Sequence, residues 1–576
     1  MALIEFNNFT FSYPGSDVFQ LGNVNLSIEK SSFTLICGES GCGKTTFVKQ
    51  LIPAIAPYGT ASGEVRYNGK NLNEYTDEEI ARNFGYVGQN PMDQTVTDKV
   101  WHELAFGMEN LNTPQNLMER RIAEICEFFG LQKLLHRDVS TLSGGELSMV
   151  NLASVMVTEP KVLILDEPTA QLDPLASRNL LDMIKRINKE LGTTVIIIEH
   201  HLEEVYGMAD NIVVMSKAVV DYVGAPREVA SKLNFREGLP SALVISKKVK
   251  ELADTNNNRT LSHELPLTVA EGQKWLLSWC DSIDDVSNYV TQRNDFMNNE
   301  ETSDEQSIDA TPIIVMRNIA FTYDGEEAVL NECNLEVRQG EIFALMGGNG
   351  TGKSTLLKLL CMGINPSYGT IEVMGKKLGN IKSAPLGLGG MVYLPQDPKA
   401  LFTEIKVADE LNEALQGVNL SPEDKQSKVS GILERIGLNG YENQHPYDLS
   451  YGQMQMLALG KLLLLEPKII LMDEPTKGID YTWKKKLSEI LKELSDEGVT
   501  ILMASHDIEF CARYASRLGL MHDGRVVANM TRREFFIGNS FFTTATNRIA
   551  RSIQLDAILP EEVISFCREI LSDEDN

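Results

Sequence analysis

The chain has 576 residues, 43% apolar and 23% charged, which is ordinary globular usage and excludes a wholly disordered or collagen-like protein. At about 100–200 residues per domain, the length predicts several domains or lobes. Eighty acidic against 53 basic residues leave a net charge of −27. That field repels nucleic acid unless a local basic patch overrides it, so a role on DNA or the ribosome is disfavoured.

The opening MALIEFNNFTFSY has no basic region followed by an apolar one, so no secretory signal is expected. No run approaches 18 consecutive apolar residues, so no transmembrane helix is expected either. The eight cysteines are scattered and none forms a CxxC pair, which predicts reduced thiols in a cytosolic protein rather than zinc or redox chemistry.

Along the chain, β-rich segments are predicted at Leu3–Tyr13 and Val24–Cys37, and again at Ile313–Tyr323 and Leu330–Met346. GESGCGKT (Gly38–Thr45) recurs as GGNGTGKS (Gly347–Ser354), KVLILDEPT as KIILMDEPT, and TTVIIIEHH as VTILMASHD. The offsets are 309 residues from Lys44 to Lys353, 307 from Asp166 to Asp473 and 306 from His200 to His506. A nearly constant offset means one duplicated domain of about 230 residues rather than a solenoid. VLILD and TVIIIE are continuous apolar runs, as in strands buried on both faces. The fold class is therefore α/β, two tandem P-loop NTPase domains, each with a β-rich start and a mainly parallel sheet core.

Four segments are expected: a first domain at 1–235, a helical extension and acidic linker at 236–311, a second domain at 312–540 and a helical tail at 541–576. Between the copies, TNNNRT at Thr255–Thr260 marks a shift in composition, and the acidic NNEETSDEQSID at Asn298–Asp309 reads as a solvated linker. Leu265–Val290, with Trp275 and Trp279, reads as an amphipathic helix packed on the first copy.

Each GxxxxGK[ST] loop lets backbone N–H groups turn inward around phosphate oxygens. The nucleotide-binding candidates are Gly38, Glu39, Ser40, Gly41, Cys42, Gly43, Lys44, Thr45 and Thr46 in the first copy. In the second they are Gly347, Gly348, Asn349, Gly350, Thr351, Gly352, Lys353, Ser354 and Thr355. Lys44 and Lys353 are expected on the β- and γ-phosphates, with Thr45 and Ser354 on Mg²⁺. Asp166 and Asp473 close apolar strands and are expected to reach the same Mg²⁺. Glu167 and Glu474, next in sequence, are placed to polarise the water that attacks the γ-phosphate. Cys42 predicts that a bulky thiol adduct blocks nucleotide at the first loop and that bound ATP protects it, with Thr351 leaving the second loop immune.

With these motifs the chain resembles the ATP-binding cassette family. LSGGE at Leu142–Glu146 and LSYGQ at Leu449–Gln453 look like its signature loop, with Ser143 and Ser450 each 23 residues before the strand-end aspartate. The resemblance assigns Gln89 and Gln396 to the Q-loop, with a share in Mg²⁺ binding, and Asp173 and Asp480 to the D-loop. It makes His200 and His506 switch histidines, and Tyr13 and Tyr323 the adenine-stacking aromatics, for which core packing is the competing reading. It also implies a helical subdomain in each copy and a head-to-tail pair enclosing two ATP. One site would add Ser450 and Gly452 to the first copy's loop, the other Ser143 and Gly145 to the second's. Tyr451 stands where the family has its first signature glycine. Either its ring makes the two sites unequal, or it points away and has no effect.

GQNPMDQTVTDKVWHELAFGMEN looks like the energy-coupling factor type of importer ATPase, and LPLTVAEGQKWL and FFTTATNRIAR look like its two-cassette members. That resemblance implies a transmembrane coupling subunit, a small substrate-binding membrane protein, a peripheral position on the cytoplasmic side of the cell membrane, and no nucleic-acid partner. Substrates of the group are vitamins, their precursors and transition-metal ions. Glu103 and Glu410 fall in the groove that receives the coupling subunit, where they either pair with its arginines or line a solvated helix face. The alternatives are a soluble twin-cassette ATPase acting on the ribosome, whose linker is typically basic, and a sugar-importer ATPase, whose second phosphate loop is typically degraded; here GGNGTGKS is intact.

Overall fold

The computed structural model describes residues 2–15, 19–233, 238–255, 264–281, 286–306, 311–323, 328–361, 364–378, 389–418 and 420–573. The chain forms two compact units, Met1–Lys247 with Leu261–Gly272, and Lys248–Thr260 with Gln273–Asn576.

In the first unit, strands β1 (Ala2–Ser12), β2 (Leu21–Glu29), β4 (Thr60–Tyr67) and β5 (Lys70–Asn71) form an antiparallel sheet in the order β2-β1-β4-β5. A second sheet is built from β3 (Phe33–Gly38), β6 (Phe84–Val87), β7 (Val162–Asp166), β8 (Thr194–Ile198), β9 (Asn211–Ser216) and β10 (Val219–Gly224). Its order is β10-β9-β3-β8-β7-β6, parallel except for the β10 edge. β7 and β8 are buried along their whole length, as their uninterrupted aliphatic sequence requires.

The second unit repeats the plan. β11 (Pro312–Phe321), β12 (Leu330–Arg338), β14 (Tyr368–Val373) and β15 (Lys376–Lys377) form the antiparallel sheet β12-β11-β14-β15. β13 (Ile342–Met346), β16 (Met391–Leu394), β17 (Ile469–Asp473), β18 (Thr500–Ala504), β19 (Arg517–His522) and β20 (Arg525–Thr531) form the mainly parallel sheet β16-β17-β18-β13-β19-β20. The segments Val24–Cys37 and Leu330–Met346 each resolve into two strands belonging to different sheets. The breaks fall at Ser31 (φ 60°) and Gly340 (φ 77°), where the left-handed backbone turns the chain.

The loop after β6 leads into helices Val100–Asn110, Gln115–Phe129 and Gly144–Met156; the loop after β16 leads into Val407–Ala414, Pro422–Ile436 and Tyr451–Leu463. These three-helix clusters return the chain to β7 and β17, so signature loop, strand-end aspartate and phosphate loop lie within one unit's topology.

The region between the cassettes divides between the two units. Leu265 and Leu267 pack against the first cassette's core. From Gln273 the chain clusters with the second unit, and Gln273 donates to the Arg548 carbonyl at 2.7 Å. The buried Trp275 and Trp279 therefore fall in the second unit, not on the first copy as expected. Amphipathic spacing fixes which face is buried but not what covers it. The acidic stretch expected as a linker is helical as far as Gln306, within helix Val286–Gln306, and its last residues, like Asn256–Thr260, lie outside the described ones.

After Phe541 come helices Ala545–Ala550 and Pro560–Asp573. Here Thr543, Thr544 and Asn547 form a buried knot with the Phe536, Ile558 and Ala557 carbonyls, so FFTTATNRIAR is spent on folding the tail. All eight cysteines are buried and unpaired. Among the described residues, no helix is long and apolar enough to cross a membrane.

Candidate active site

Each phosphate loop leaves its parallel sheet at a glycine that no other residue can replace without movement. A Cβ on Gly38 (φ 148°) would lie 2.0 Å from the Met215 carbonyl oxygen, and one on Gly347 (φ 151°) 2.5 Å from that of Met521. The loop then wraps around the buried lysine. Lys44 Nζ donates to the Gly38 and Glu39 carbonyls, both at 2.9 Å, and Lys353 Nζ to those of Gly347 and Gly348 at 2.8 and 2.9 Å.

The next side chain meets the strand-end acid. Thr45 Oγ1 donates to Asp166 at 3.1 Å and Ser354 Oγ to Asp473 at 2.9 Å. The second oxygen of each carboxylate accepts a tyrosine hydroxyl at 3.1 Å, from Tyr86 and Tyr393. These tyrosines escaped the motif reading. Their signal was available: both stand three residues before the Q-loop glutamine, 307 residues apart. Burial raises Asp166 and Asp473 above the ordinary aspartate range, with the adjacent Glu167 and Glu474 adding to it. A hydroxyl and a desolvated carboxylate converging beside a lysine-cradling loop are the donor set a hard divalent cation takes, and such a cation offsets the burial of negative charge. The residues present therefore fit Mg²⁺ with a nucleotide.

Glu167 and Glu474 follow directly, both in the left-handed backbone region at φ 51°, which strains a residue bearing a side chain. Each backbone N–H is held by the next strand, at the Ile198 and Ala504 carbonyls. Their side chains are held differently. Glu167 accepts from Gln89 Nε2 at 2.8 Å, and His200 Nε2 lies 2.9 Å from its other oxygen. Burial pushes Glu167 up, but His200 and Lys44 more than offset it and leave it below the ordinary glutamate range. Glu474 instead accepts the backbone N–H of His506 at 3.2 Å. His506 Nδ1 lies 2.7 Å from the same oxygen, close enough for an ion pair but without hydrogen-bond alignment. Among the described residues, no bond joins Gln396 to Glu474.

Tyr13 and Tyr323 are 41% and 56% exposed, so they are not core residues. Their hydroxyls lie 3.1 and 3.2 Å from Thr46 and Thr355, directly behind the phosphate loops. Asp173 and Asp480 cap helices Pro174–Leu191 and Tyr481–Asp496. Ser143 and Ser450 cap the signature helices in reciprocal capping boxes with Glu146 and Gln453. Gly145 and Gly452 follow, each so close to the next helix that a Cβ would lie 2.8 Å from Ala176 or 2.7 Å from Trp483.

Three expectations change. Cys42 points into the core beside Leu21 and Phe47, and burial pushes its thiol up, so reagents reach it only when the loop opens. The Tyr451 ring lies against Gly478 and donates its hydroxyl to the Gln396 carbonyl at 2.9 Å, tying signature loop to Q-loop inside its own cassette. Glu103 and Glu410 are buried and fit neither reading. Glu103 accepts the N–H groups of Val96 and Thr97 at 3.1 and 2.9 Å; Glu410 accepts those of Thr403 and Glu404, and Lys461.

The ABC transporter family profile matches residues 21–170 and 330–477. A Bacillus thuringiensis protein named as an ABC transporter ATP-binding protein is 37% identical over 98% of each chain. One so named from Methanosarcina mazei is 34% identical over 93% of this chain and 90% of that one. Among solved structures, CbiO1 of Clostridium perfringens, described as part of the ABC transporter complex CbiONQ, is 27% identical over 42% of this chain and 95% of that one, at a TM-score of 0.37. The chain belongs to the ABC transporter family, as an ATP-binding, ATP-hydrolysing protein with two cassettes.

Proposed function

We propose that the chain binds two Mg·ATP through the residues described and energises an energy-coupling factor type importer. Lys44 and Lys353 neutralise the terminal phosphates. Thr45 with Asp166 and Ser354 with Asp473 would hold Mg²⁺, joined by Gln89 and Gln396, and the ion would supply further neutralisation of the phosphate charge. Glu167 and Glu474 orient the attacking water and take its proton, a role worth about 10²–10⁴ in rate. His200 and His506 hold these carboxylates in place. Completion of each site by the other cassette's signature serine and glycine belongs to the same proposal.

The observation supporting a membrane partner is the surface after Gln89. Met92, Val96 and Trp101 are 58%, 64% and 44% exposed on a segment otherwise pinned by the buried Glu103. Apolar side chains held outward by a rigid support suit a partner's apolar segment. Being attached directly to Gln89, they connect that partner to the water-positioning glutamate. The transported class, a vitamin, vitamin precursor or metal ion, rests on the motif resemblance. Co-expression with a coupling subunit should move the chain to membranes, and Val96→Asp with Met92→Glu should abolish that recruitment. Co-sedimentation with ribosomes in moderate salt, without membrane recruitment, would contradict the reading.

A further inference from the structure

The two cassettes differ in one buried acid that none of the motifs accounts for. Glu199 directly follows β8, immediately before the switch histidine, and is only 2% exposed. Its Oε1 accepts both the backbone N–H and the hydroxyl of Thr169, at 3.1 and 2.7 Å. Thr169 is two residues beyond Glu167, so one carboxyl clamps the turn after Glu167 to the residue before His200. In the second cassette the counterpart is Ser505, whose hydroxyl accepts from Asp507 N–H at 3.1 Å. There the His506 N–H goes to Glu474 itself.

We propose that Glu199 is a positioning residue for the first ATP site: by fastening the Thr169 turn to the residue before His200, it leaves Glu167 to be held by the Gln89 amide and the His200 ring. The Glu167 carboxylate is then held by two side chains, whereas Glu474 takes a backbone N–H from His506 as well as lying 2.7 Å from the His506 ring and 3.9 Å from Lys353. Burial, with the nearby Glu167 charge, pushes Glu199 up to about 8, so at neutral pH it is an uncharged acceptor that glutamine can imitate. The proposal rests on Glu167 being the water-orienting base of that site.

The test measures ATP turnover of the full chain carrying Glu199→Ser, Glu199→Gln or Glu167→Gln, each alone and with Glu474→Gln. If the sites fire independently, the Glu474→Gln background isolates the first; if they fire together, a first-site defect appears in the undisturbed chain. In whichever background reports, Glu199→Ser should lower kcat about tenfold with KM for ATP unchanged, as expected for a misplaced group. Glu199→Gln should stay within about twofold. If Glu199→Ser does not fold, Thr169→Ala, which removes one donor of the clamp, should lower kcat about threefold. Full kcat in the serine variant (or, where that does not fold, in Thr169→Ala), a change in KM alone, or an equal loss in the glutamine variant would overturn the role of Glu199. Full activity of Glu167→Gln in both backgrounds would instead overturn the assignment of Glu167, and the proposal with it.

Discussion

The first cassette surrounds its glutamate with a second acid, and the second cassette surrounds its own with a cation. Glu199 stands behind Glu167, while Ala170 and Ser505 mark where the copies diverge. In the second cassette the half-buried Lys477 lies near Glu474 and Asp473; desolvation lowers its pKa against the opposing pull of these carboxylates. The loop lysine, the strand-end aspartate, the following glutamate and the histidine recur in both copies, so the difference lies in what surrounds the proposed water-orienting carboxylate. The two copies keep the groups proposed to meet the nucleotide and differ in the residues that support them.

The same contrast recurs at the helical lobe and allows the largest stability effect. In the second cassette Lys461 bonds Glu410 at 2.6 Å and the Leu401 carbonyl at 2.7 Å. The first has Ser154 at that position and ties its lobe by Asn151 Nδ2 to the Pro91 carbonyl at 2.7 Å. Lys461→Met removes the counter-charge of the fully buried Glu410, leaving it only the Thr403 and Glu404 N–H groups, and should cost about 3 kcal/mol, read as a drop in the unfolding midpoint of the second unit, whereas Ser154→Ala should leave stability nearly unchanged. Equal effects would remove the distinction.

Tyr451→Gly comes next. It deletes a packed ring and the bond to Gln396, and should destabilise by about 2 kcal/mol and lower ATP turnover. A gain in turnover would show that the ring obstructs a site rather than bracing a loop. The effect of Glu199→Gln depends on pH. Because Glu199 is raised from 4.5 to about 8, its contribution is fully present below about pH 4.5 and is lost as pH rises through about 8. The variant should therefore gain stability relative to the parent between about pH 5.5 and 8.5, measured by thermal melting; a constant difference would contradict the shift. The smallest effect concerns Cys42, where maleimide labelling should be slow with or without ATP, because the thiol is closed into the core. Rapid labelling would mean that the loop opens freely.

The duplication and its chemistry were legible because Lys44, Asp166, Glu167 and His200 stand at fixed spacing from their copies. Alternating and continuous apolar runs located the strands. Partners of buried polar groups were not legible. Glu103 and Glu410 read as groove or surface acids because they lie in helical, partly polar sequence, and nothing local reveals that each caps a loop six or seven residues upstream. Tyr451 read as an obstruction because sequence gives the size of a ring but not its rotamer. Trp275 and Trp279 announced a buried face without saying which unit would cover it.

The central claim, that ATP is hydrolysed by two glutamates held in different ways, is tested most directly by comparing ATP turnover in Glu167→Gln, Glu474→Gln and the double variant, with nucleotide binding measured in parallel. The double variant should bind ATP and lose about 10²–10⁴ of the rate, and the two single variants should retain unequal activities. Full turnover in the double variant would contradict the assignment, and identical single variants would contradict the inequality.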